Sequence, residues 1–276
     1  MKRLNLIVTS FFFIVLIISA CGEYNKILKS QDLNVKFEYA KKYFEEGKYS
    51  RTATLLEEIV QMMRTTSRGE EALYLLAQSH YKMKDYQTAS EYFKTYFTNY
   101  PKGEYAELAR YYSAYGLYLD SPDPRLDQSD TYKAMQQLQE FIEIYPQSER
   151  KEEVQIVLYE LQEKLATKEL LSSRLYYNLG NYTIIPFPGA NYLSCVITAQ
   201  NAIRSYPFSK HREELRYLMF KAKYEMAIQS VEEKKELRFQ DVSDEYFVYV
   251  NEFPEGKYVK EIKRLYENID RRLKKE

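Results

Sequence analysis

The feature that most constrains the fold is an aromatic residue followed by proline, which closes an amphipathic helical pattern at four places. These pairs are Tyr100-Pro101, Tyr145-Pro146, Tyr206-Pro207 and Phe253-Pro254. Proline cannot continue a helix and pushes the residue before it out of helical geometry, so each pair marks the end of a helix. Helical segments that end in the same way four times predict a repeat architecture.

The segment from Leu73 to Pro101 shows the repeat most clearly. Apolar or small residues occupy one helical face in its first half and again in its second half, after a break at Lys84-Asp85. In chain order these positions are Leu73, Leu76, Ala77, Tyr81, Tyr86, Ala89, Phe93 and Tyr96. Two such helices cannot bury their apolar faces alone, so the hairpin needs neighbours of the same kind.

This pattern resembles the tetratricopeptide repeat, in which small residues lie where two helices cross, an aromatic residue follows the turn and proline ends the unit. The chain also has few helix breakers, with eight glycines and eight prolines. Together these observations predict an all-α fold over residues 33–276. It is expected to be a superhelical array of about five tetratricopeptide-like hairpins with a C-terminal capping helix.

The aromatic-proline pairs also set the predicted boundaries. The five hairpins are expected over residues 33–64, 73–101, 105–146, 150–207 and 211–254, and the capping helix over 258–274. The fourth hairpin is expected to have a long first helix over 150–179. The second helix of the fifth hairpin is expected over 241–252, and Asp32 is the expected N-cap of the first helix.

The N-terminus has the composition of a bacterial lipoprotein signal. Lys2-Arg3 precede a mostly apolar run, and small residues stand just before Cys21. We therefore predict a signal peptide over 1–20, lipid on Cys21 and a lipidated polar tether over 21–32. The acyl chains, such as palmitate, would occupy the sulfur and the new amine of Cys21. The alternative is an ordinary secretory signal followed by an unmodified cysteine.

No arrangement of residues in the sequence is typical of an enzyme or a metal site. His80 and His211 lie far apart, and Cys195 falls among alanine and valine as a small core residue would. Basic and acidic residues number 40 each, so no excess of positive charge favours nucleic acid. We expect a non-catalytic protein that needs no metal or cofactor and does not bind nucleic acid.

Stacked hairpins of this kind curve, and the first helix of each hairpin lines the inner surface. Tyrosine combines an apolar face with a hydrogen-bonding tip, which suits a groove for an extended peptide with aromatic side chains and a terminal carboxylate. The predicted peptide-binding groove consists of Phe37, Lys41, Phe44, Tyr74, Gln78, Tyr81, Lys82, Tyr111, Tyr112 and Tyr115. The alternative for each tyrosine is packing between helices, in place of the leucine of an ordinary core.

Two loops interrupt the repeats. A polar loop over 120–130 separates the helices of the third hairpin, and an apolar loop over 180–191 interrupts the fourth. Ile184, Ile185 and Phe187 in the second loop would form a contact for a partner or for the membrane surface. The other interpretation is that this loop folds back onto its own repeat.

The lipoprotein signal, the tether and the series of hairpins together resemble the BamD family of outer-membrane lipoproteins, which belongs to the β-barrel assembly machinery. The motifs that carry the resemblance are Gly47-Lys48-Tyr49, Tyr86-Gln87-Thr88-Ala89, Leu175-Tyr176-Tyr177-Asn178-Leu179-Gly180 and the aromatic-proline pairs. The resemblance implies a lipid-anchored protein on the periplasmic face of the bacterial outer membrane. It also implies two kinds of partner, a BamA-like barrel-forming subunit and unfolded outer-membrane proteins. The N-terminal repeats would receive the C-terminal signal of the unfolded proteins, and the C-terminal repeats would dock onto the machinery.

Two other functions are compatible with a lipid-anchored repeat protein. One is glycan binding of the SusD type, and the other is a scaffold for peptidoglycan or the cell envelope. SusD-type lipoproteins also carry such repeats, but they are much longer and use aromatic platforms that often contain tryptophan, which this chain lacks. A lipid-anchored enzyme would need a catalytic constellation that the sequence does not show.

Overall fold

The computed structural model describes residues 23–182 and 189–273, and every regular element within them is helical. The helices are α1 (23–28), α2 (Leu33–Glu45), α3 (Tyr49–Met63), α4 (Gly69–Lys82), α5 (Tyr86–Asn99), α6 (Ala106–Asp120), α7 (Ser129–Ile144), α8 (Lys151–Leu179), α9 (Ala190–Ser205), α10 (Arg212–Ile228), α11 (Glu232–Glu252) and α12 (Val259–Leu273). From α2 to α11 they form consecutive hairpins, and α12 follows. The all-α fold and the array of helical hairpins are therefore confirmed.

The described chain forms two compact units. The first holds the described residues up to Ser121 together with Ser129–Lys151, and the second holds Pro122–Gln128 and the described residues from Glu152 onward. The loop inside the third hairpin thus packs with the second unit. There the Nζ of Lys168 donates a hydrogen bond to the carbonyl of Leu126 at 3.0 Å.

Small residues lie where the two helices of a hairpin cross, as the repeat pattern predicts. Ala77 and Ala89 have no exposed surface in the second hairpin, and neither do Ala40 and Thr52 in the first. Thr52 replaces an alanine there without leaving a buried hydroxyl unpaired, because its Oγ1 donates a hydrogen bond to the Ala40 carbonyl at 3.1 Å. The first hairpin therefore keeps the close helix crossing.

The four aromatic-proline pairs adopt the same turn. The N–H groups of Tyr100, Tyr145, Tyr206 and Phe253 each donate to the carbonyl four residues earlier, at 2.8–2.9 Å. A glycine or serine N–H three residues later then donates to the carbonyl of the aromatic residue, at 3.0–3.1 Å. One sequence signal thus corresponds to one turn, which ends a hairpin and leads into the next helix.

Two elements differ from the sequence-based expectation. Part of the predicted tether forms α1, and Ile27 of α1 is buried in the core of the first unit. The helix α11 begins at Glu232 rather than at Asp241. Its first turns lack an apolar face, with Leu237 71% exposed, so periodicity could not reveal them. Their glutamates and lysines are nevertheless good helix formers, and acidic residues in the first turn complement the helix dipole.

Candidate functional site

A strip of partly exposed tyrosines runs along α4 and α6 of the first unit. Tyr74 stacks on Tyr105 with ring centroids 4.2 Å apart. Tyr81 meets Tyr112 edge to face with centroids 5.0 Å apart, and Tyr115 continues the series along α6. We name Tyr74, Tyr81, Tyr105, Tyr112 and Tyr115 the tyrosine strip.

Two buried rings join the members of the tyrosine strip. Phe93 of α5 has no exposed surface, and its centroid lies 5.9 Å from that of Tyr74 and 5.7 Å from that of Tyr112. Tyr111 is also buried and lies 5.2 Å from both Tyr112 and Tyr115. Because neighbouring rings already hold these side chains in place, little conformational entropy remains to be lost when a ligand binds.

The spacing along α4 explains one side of the strip. Tyr74, Gln78 and Tyr81 follow one another at helical spacing and project from one face. Gln78 is buried, and its Nε2 donates a hydrogen bond to the Tyr74 hydroxyl at 3.0 Å. Burial raises the pKa of Tyr74 to about 12. The phenol therefore stays neutral at physiological pH and keeps a hydroxyl that can donate to a ligand.

Two cations lie beside the aromatic residues of this unit. The guanidinium carbon of Arg150 is 4.5 Å from the ring centroid of Tyr111 and 6.0 Å from that of Tyr112. Lys41 lies 5.6 Å over the ring of Phe37 and pairs with Glu71 at 2.6 Å. The hydrogen bond to Glu71 raises the pKa of Lys41, so Lys41 is positively charged at neutral pH.

The structure brings part of the predicted groove together. Four of its tyrosines belong to the tyrosine strip. Phe37, Gln78 and Tyr111 are buried, with 1, 8 and 3% of their surface exposed, so they support other side chains more than they could contact a ligand. Phe44 is half-buried edge to face against Tyr49, and Lys82 is exposed. The groove as a ligand site stays a prediction.

Tyr105 and Arg150 were missed by the sequence reasoning. Each stands immediately before a helix, so neither falls in the helical register that revealed the other aromatic residues. A signal was nevertheless available, because each follows the proline of an aromatic-proline pair by four residues. That turn places the fourth residue back against the hairpin it has just closed.

The second unit repeats this arrangement. Tyr258 also follows its proline by four residues, and it stacks on Tyr217 with centroids 3.9 Å apart. The Nζ of Lys221 lies 5.2 Å from the ring centroid of Tyr217 and 4.9 Å from that of Tyr177. On the neighbouring helix α9, Leu193 and Ile197 are about half exposed. The second unit thus has its own aromatic and apolar surface.

Several predicted residues lie outside the described ranges. These are Cys21 and the loop residues Ile184, Ile185 and Phe187, so lipidation and the partner-contact loop stay predictions. Asn191, at the end of that loop, forms hydrogen bonds to residues at its start. Its Nδ2 donates hydrogen bonds to the carbonyls of Gly180 at 3.2 Å and Tyr182 at 2.6 Å.

The histidine His80 and the cysteine Cys195 of the described ranges are both buried among the helices. No group of three or more potential ligands there could hold a metal ion. His80 is buried, with Nδ1 2.9 Å from Asp85 and Nε2 3.1 Å from Glu57. Cys195 has no exposed surface, and burial raises the pKa of its thiol to about 12, as expected of a core cysteine. No helix within residues 23–182 and 189–273 combines the length and apolar character needed to cross a membrane.

Residues 30–185 match the YfiO family of outer membrane lipoproteins. The match covers more than half of the 276-residue chain. The chain belongs to the YfiO family. The part that matches this family includes helices α2 to α8 and the whole tyrosine strip. This protein is therefore of the outer membrane lipoprotein type, and its strip lies in the part that it shares with the family.

A curated relative supports the YfiO-family assignment. Over 122 residues the chain is 28% identical to a protein of Aquifex aeolicus (strain VF5) named "Putative outer membrane protein assembly factor BamD". The matched segment covers 44% of this chain and 40% of the relative, so the chain spans less than half of that relative. The resemblance to the BamD family is thus confirmed.

Proposed function

We propose that this YfiO-family lipoprotein is a non-catalytic adaptor of the β-barrel assembly complex in the bacterial outer membrane. It binds a BamA-like barrel-forming subunit and the C-terminal segments of unfolded outer-membrane proteins, and lipid on Cys21 holds it at the periplasmic face. The observation that carries the proposal is the tyrosine strip, which lies within the family-matched range. The name of the Aquifex relative as an assembly factor supports the same role.

The chemistry of the strip suits an extended peptide with aromatic side chains. Tyrosine rings offer apolar faces together with hydroxyl groups that can bond a peptide backbone. The guanidinium of Arg150 lies beside Tyr111 and Tyr112 and is well suited to a carboxylate. An outer-membrane protein that ends in an aromatic residue supplies both an aromatic ring and a terminal carboxylate at its C-terminus.

The second unit supports a separate docking role. Its stacked pair Tyr217 and Tyr258 and the half-exposed Leu193 and Ile197 of α9 are aromatic and aliphatic side chains of the kind that protein interfaces favour. The barrel-forming subunit would contact this unit. The tyrosine strip of the first unit, here called the client site, stays available to the C-terminal peptide of an unfolded outer-membrane protein.

Peptide binding to the full chain in detergent tests the client site. A peptide that ends in an aromatic residue with a free carboxylate should bind at least about tenfold more weakly to the double variant Tyr74→Ala, Tyr81→Ala, because buried aromatic anchors dominate such interfaces. Arg150→Gln should remove the preference for a free over an amidated terminus. Tyr132→Ala is the matched control, because Tyr132 lies in the same unit but is 56% exposed. Unchanged binding to the folded double variant would refute the client site.

The anchor is tested with Cys21→Ser. The variant should fail to incorporate a fatty-acid analogue and should leave the membrane fraction once its signal is cleaved, because two or more acyl chains are needed for stable anchoring. Equal incorporation of the analogue in the variant and in the unsubstituted chain would contradict lipidation at Cys21.

A further inference from the structure

An open pocket of about 390 Å³ lies between α5, α6 and α7 in the first unit. Each of the three helices contributes one cation to its lining, namely Lys94, Arg110 and Lys133. Glu140 of α7 is the acidic residue of the lining. The pocket is formed by residues other than those of the tyrosine strip, and it carries an excess of positive charge.

Arg110 is the central group of this pocket. Its guanidinium carbon lies 4.1 Å from the ring centroid of Phe97, so the aromatic ring holds the planar group in one orientation. Its Nε is buried and has no hydrogen-bond partner. Among the described residues no carboxylate lies within ion-pairing distance of Arg110. A buried charged donor without a partner is costly, and an arriving acceptor would relieve that cost.

The side chains of Lys133, Gln136, Gln137 and Glu140 in this pocket already have partners within the protein. The Nζ of Lys133 donates to Asp130 at 2.9 Å, and Glu140 accepts from the amide of Gln136 at 2.9 Å. The amide oxygen of Gln137 accepts from the Ser113 hydroxyl at 3.0 Å. Arg110 thus keeps unused hydrogen-bonding capacity beside these engaged groups, and Lys94 adds another cation to the lining.

We propose that this pocket binds a side-chain carboxylate, an aspartate or glutamate, on a peptide segment of a partner protein. The guanidinium fork matches a carboxylate through two parallel hydrogen bonds. The pocket volume lies at the small end of the range for ligand sites and accommodates one acidic side chain with its neighbouring backbone. Glu140 at the lining repels a doubly charged phosphate more strongly than a singly charged carboxylate, which favours the peptide.

The proposal is tested with the full chain in detergent micelles, followed by nuclear magnetic resonance of the side-chain amide of Gln137. The probe is N-acetyl-glutamate N-methylamide, and its neutral counterpart N-acetyl-glutamine N-methylamide is the control ligand. The acidic probe should give a saturable shift of this resonance and the neutral probe none. Equal shifts from the two probes, or no saturable shift from either, would overturn the proposal.

Variants separate Arg110 from general charge effects. Arg110→Lys keeps the positive charge but loses the fork, and it should bind the acidic probe about tenfold more weakly. Arg64→Lys, at an exposed position in the same unit, should bind it unchanged. Inorganic phosphate is the third probe, and tighter binding of phosphate than of the carboxylate would overturn the peptide assignment. The double variant Tyr74→Ala, Tyr81→Ala should retain the shift, so this test is independent of the client site.

Discussion

The hydroxyl of Tyr249 donates a hydrogen bond to Oε1 of Glu213 at 2.7 Å, and the same contact joins Tyr96 to Glu70 in the second hairpin. Both tyrosines are fully buried. Each hydroxyl also accepts the N–H of the residue that precedes the next helix, Tyr258 at 3.3 Å in one case and Tyr105 at 3.1 Å in the other. In each case one buried tyrosine hydroxyl thus hydrogen-bonds both to the other helix of its hairpin and to the start of the helix that follows.

Removing the Tyr249 hydroxyl should destabilise the protein substantially. Tyr249→Phe leaves a carboxylate and a backbone N–H without their shared partner, so the free energy of unfolding in urea should fall by about 1.5–3 kcal/mol. Tyr96→Phe should cost a similar amount. Tyr132→Phe removes a hydroxyl from an exposed ring and should change stability little. Equal stability of all three variants would show that the buried contacts contribute nothing.

Glycine is required beside the buried tyrosines. A Cβ at Gly256 would lie 2.5 Å from Oε1 of Glu213, and a Cβ at Gly103 would lie 2.8 Å from the Tyr96 hydroxyl oxygen. Alanine at either position should therefore cost about 1–3 kcal/mol through overpacking. Gly116 is the internal control, since its Cβ would meet ordinary contacts at 3.6 Å. Gly116→Ala should raise the melting temperature, because alanine is the better helix former.

The turn between α4 and α5 stores backbone strain at Lys84. Lys84 has a φ of 63°, whereas the equivalent turn between α2 and α3 places Gly47 at 72°. A left-handed conformation costs a residue with a Cβ about 1 kcal/mol. Lys84→Gly should therefore stabilise the protein slightly. Lys82→Gly, two residues earlier within α4, should destabilise it by about 1 kcal/mol, and effects of the same sign at both sites would contradict the strain at Lys84.

The contact of His80 with Asp85 should make stability depend on pH in the acid range. Burial acts to raise the pKa of Asp85, but the hydrogen bonds from His80 and Thr88 outweigh burial and hold the pKa below its usual value. A carboxyl group with a lowered pKa stabilises the folded state above its unfolded pKa and loses that contribution as the pH falls through the folded value. Asp85→Asn keeps an N-cap oxygen for α5. It should lower stability at pH 7 and have a smaller effect at pH 2, whereas an equal loss at both pH values would contradict the ionic contribution.

The sequence predicted the fold well where the pattern repeats. The aromatic-proline pairs located the hairpins, and the long first helix of the fourth hairpin is α8. Asp32 does cap α2, because its side chain accepts hydrogen bonds from the N–H groups of Asn34 and Val35. The start of α11 was missed because its side chains lack a buried face. Periodicity reports burial, so a solvated helical segment gives no periodic signal.

The candidate site was harder to predict than the fold. Helical spacing shows which residues share a face, but it does not show how deeply a face is covered. Phe37 and Tyr111 have the spacing of groove residues and yet are buried, because neighbouring helices cover them. Tyr105 contributes a ring from outside any helix. Helical periodicity does not report residues at turns, so the signal for Tyr105 was its distance of four residues from Pro101 rather than its place in a helix.

Affinity purification of the full, tagged chain from detergent-solubilised outer membranes tests the adaptor role most directly. The experiment compares the unsubstituted protein with a chain that carries Leu193→Asp and Ile197→Asp on the exposed face of α9. We predict that a barrel protein with soluble periplasmic domains co-purifies with the unsubstituted chain and is depleted from the variant. Recovery of bound oligosaccharide with no such barrel protein would contradict the adaptor role.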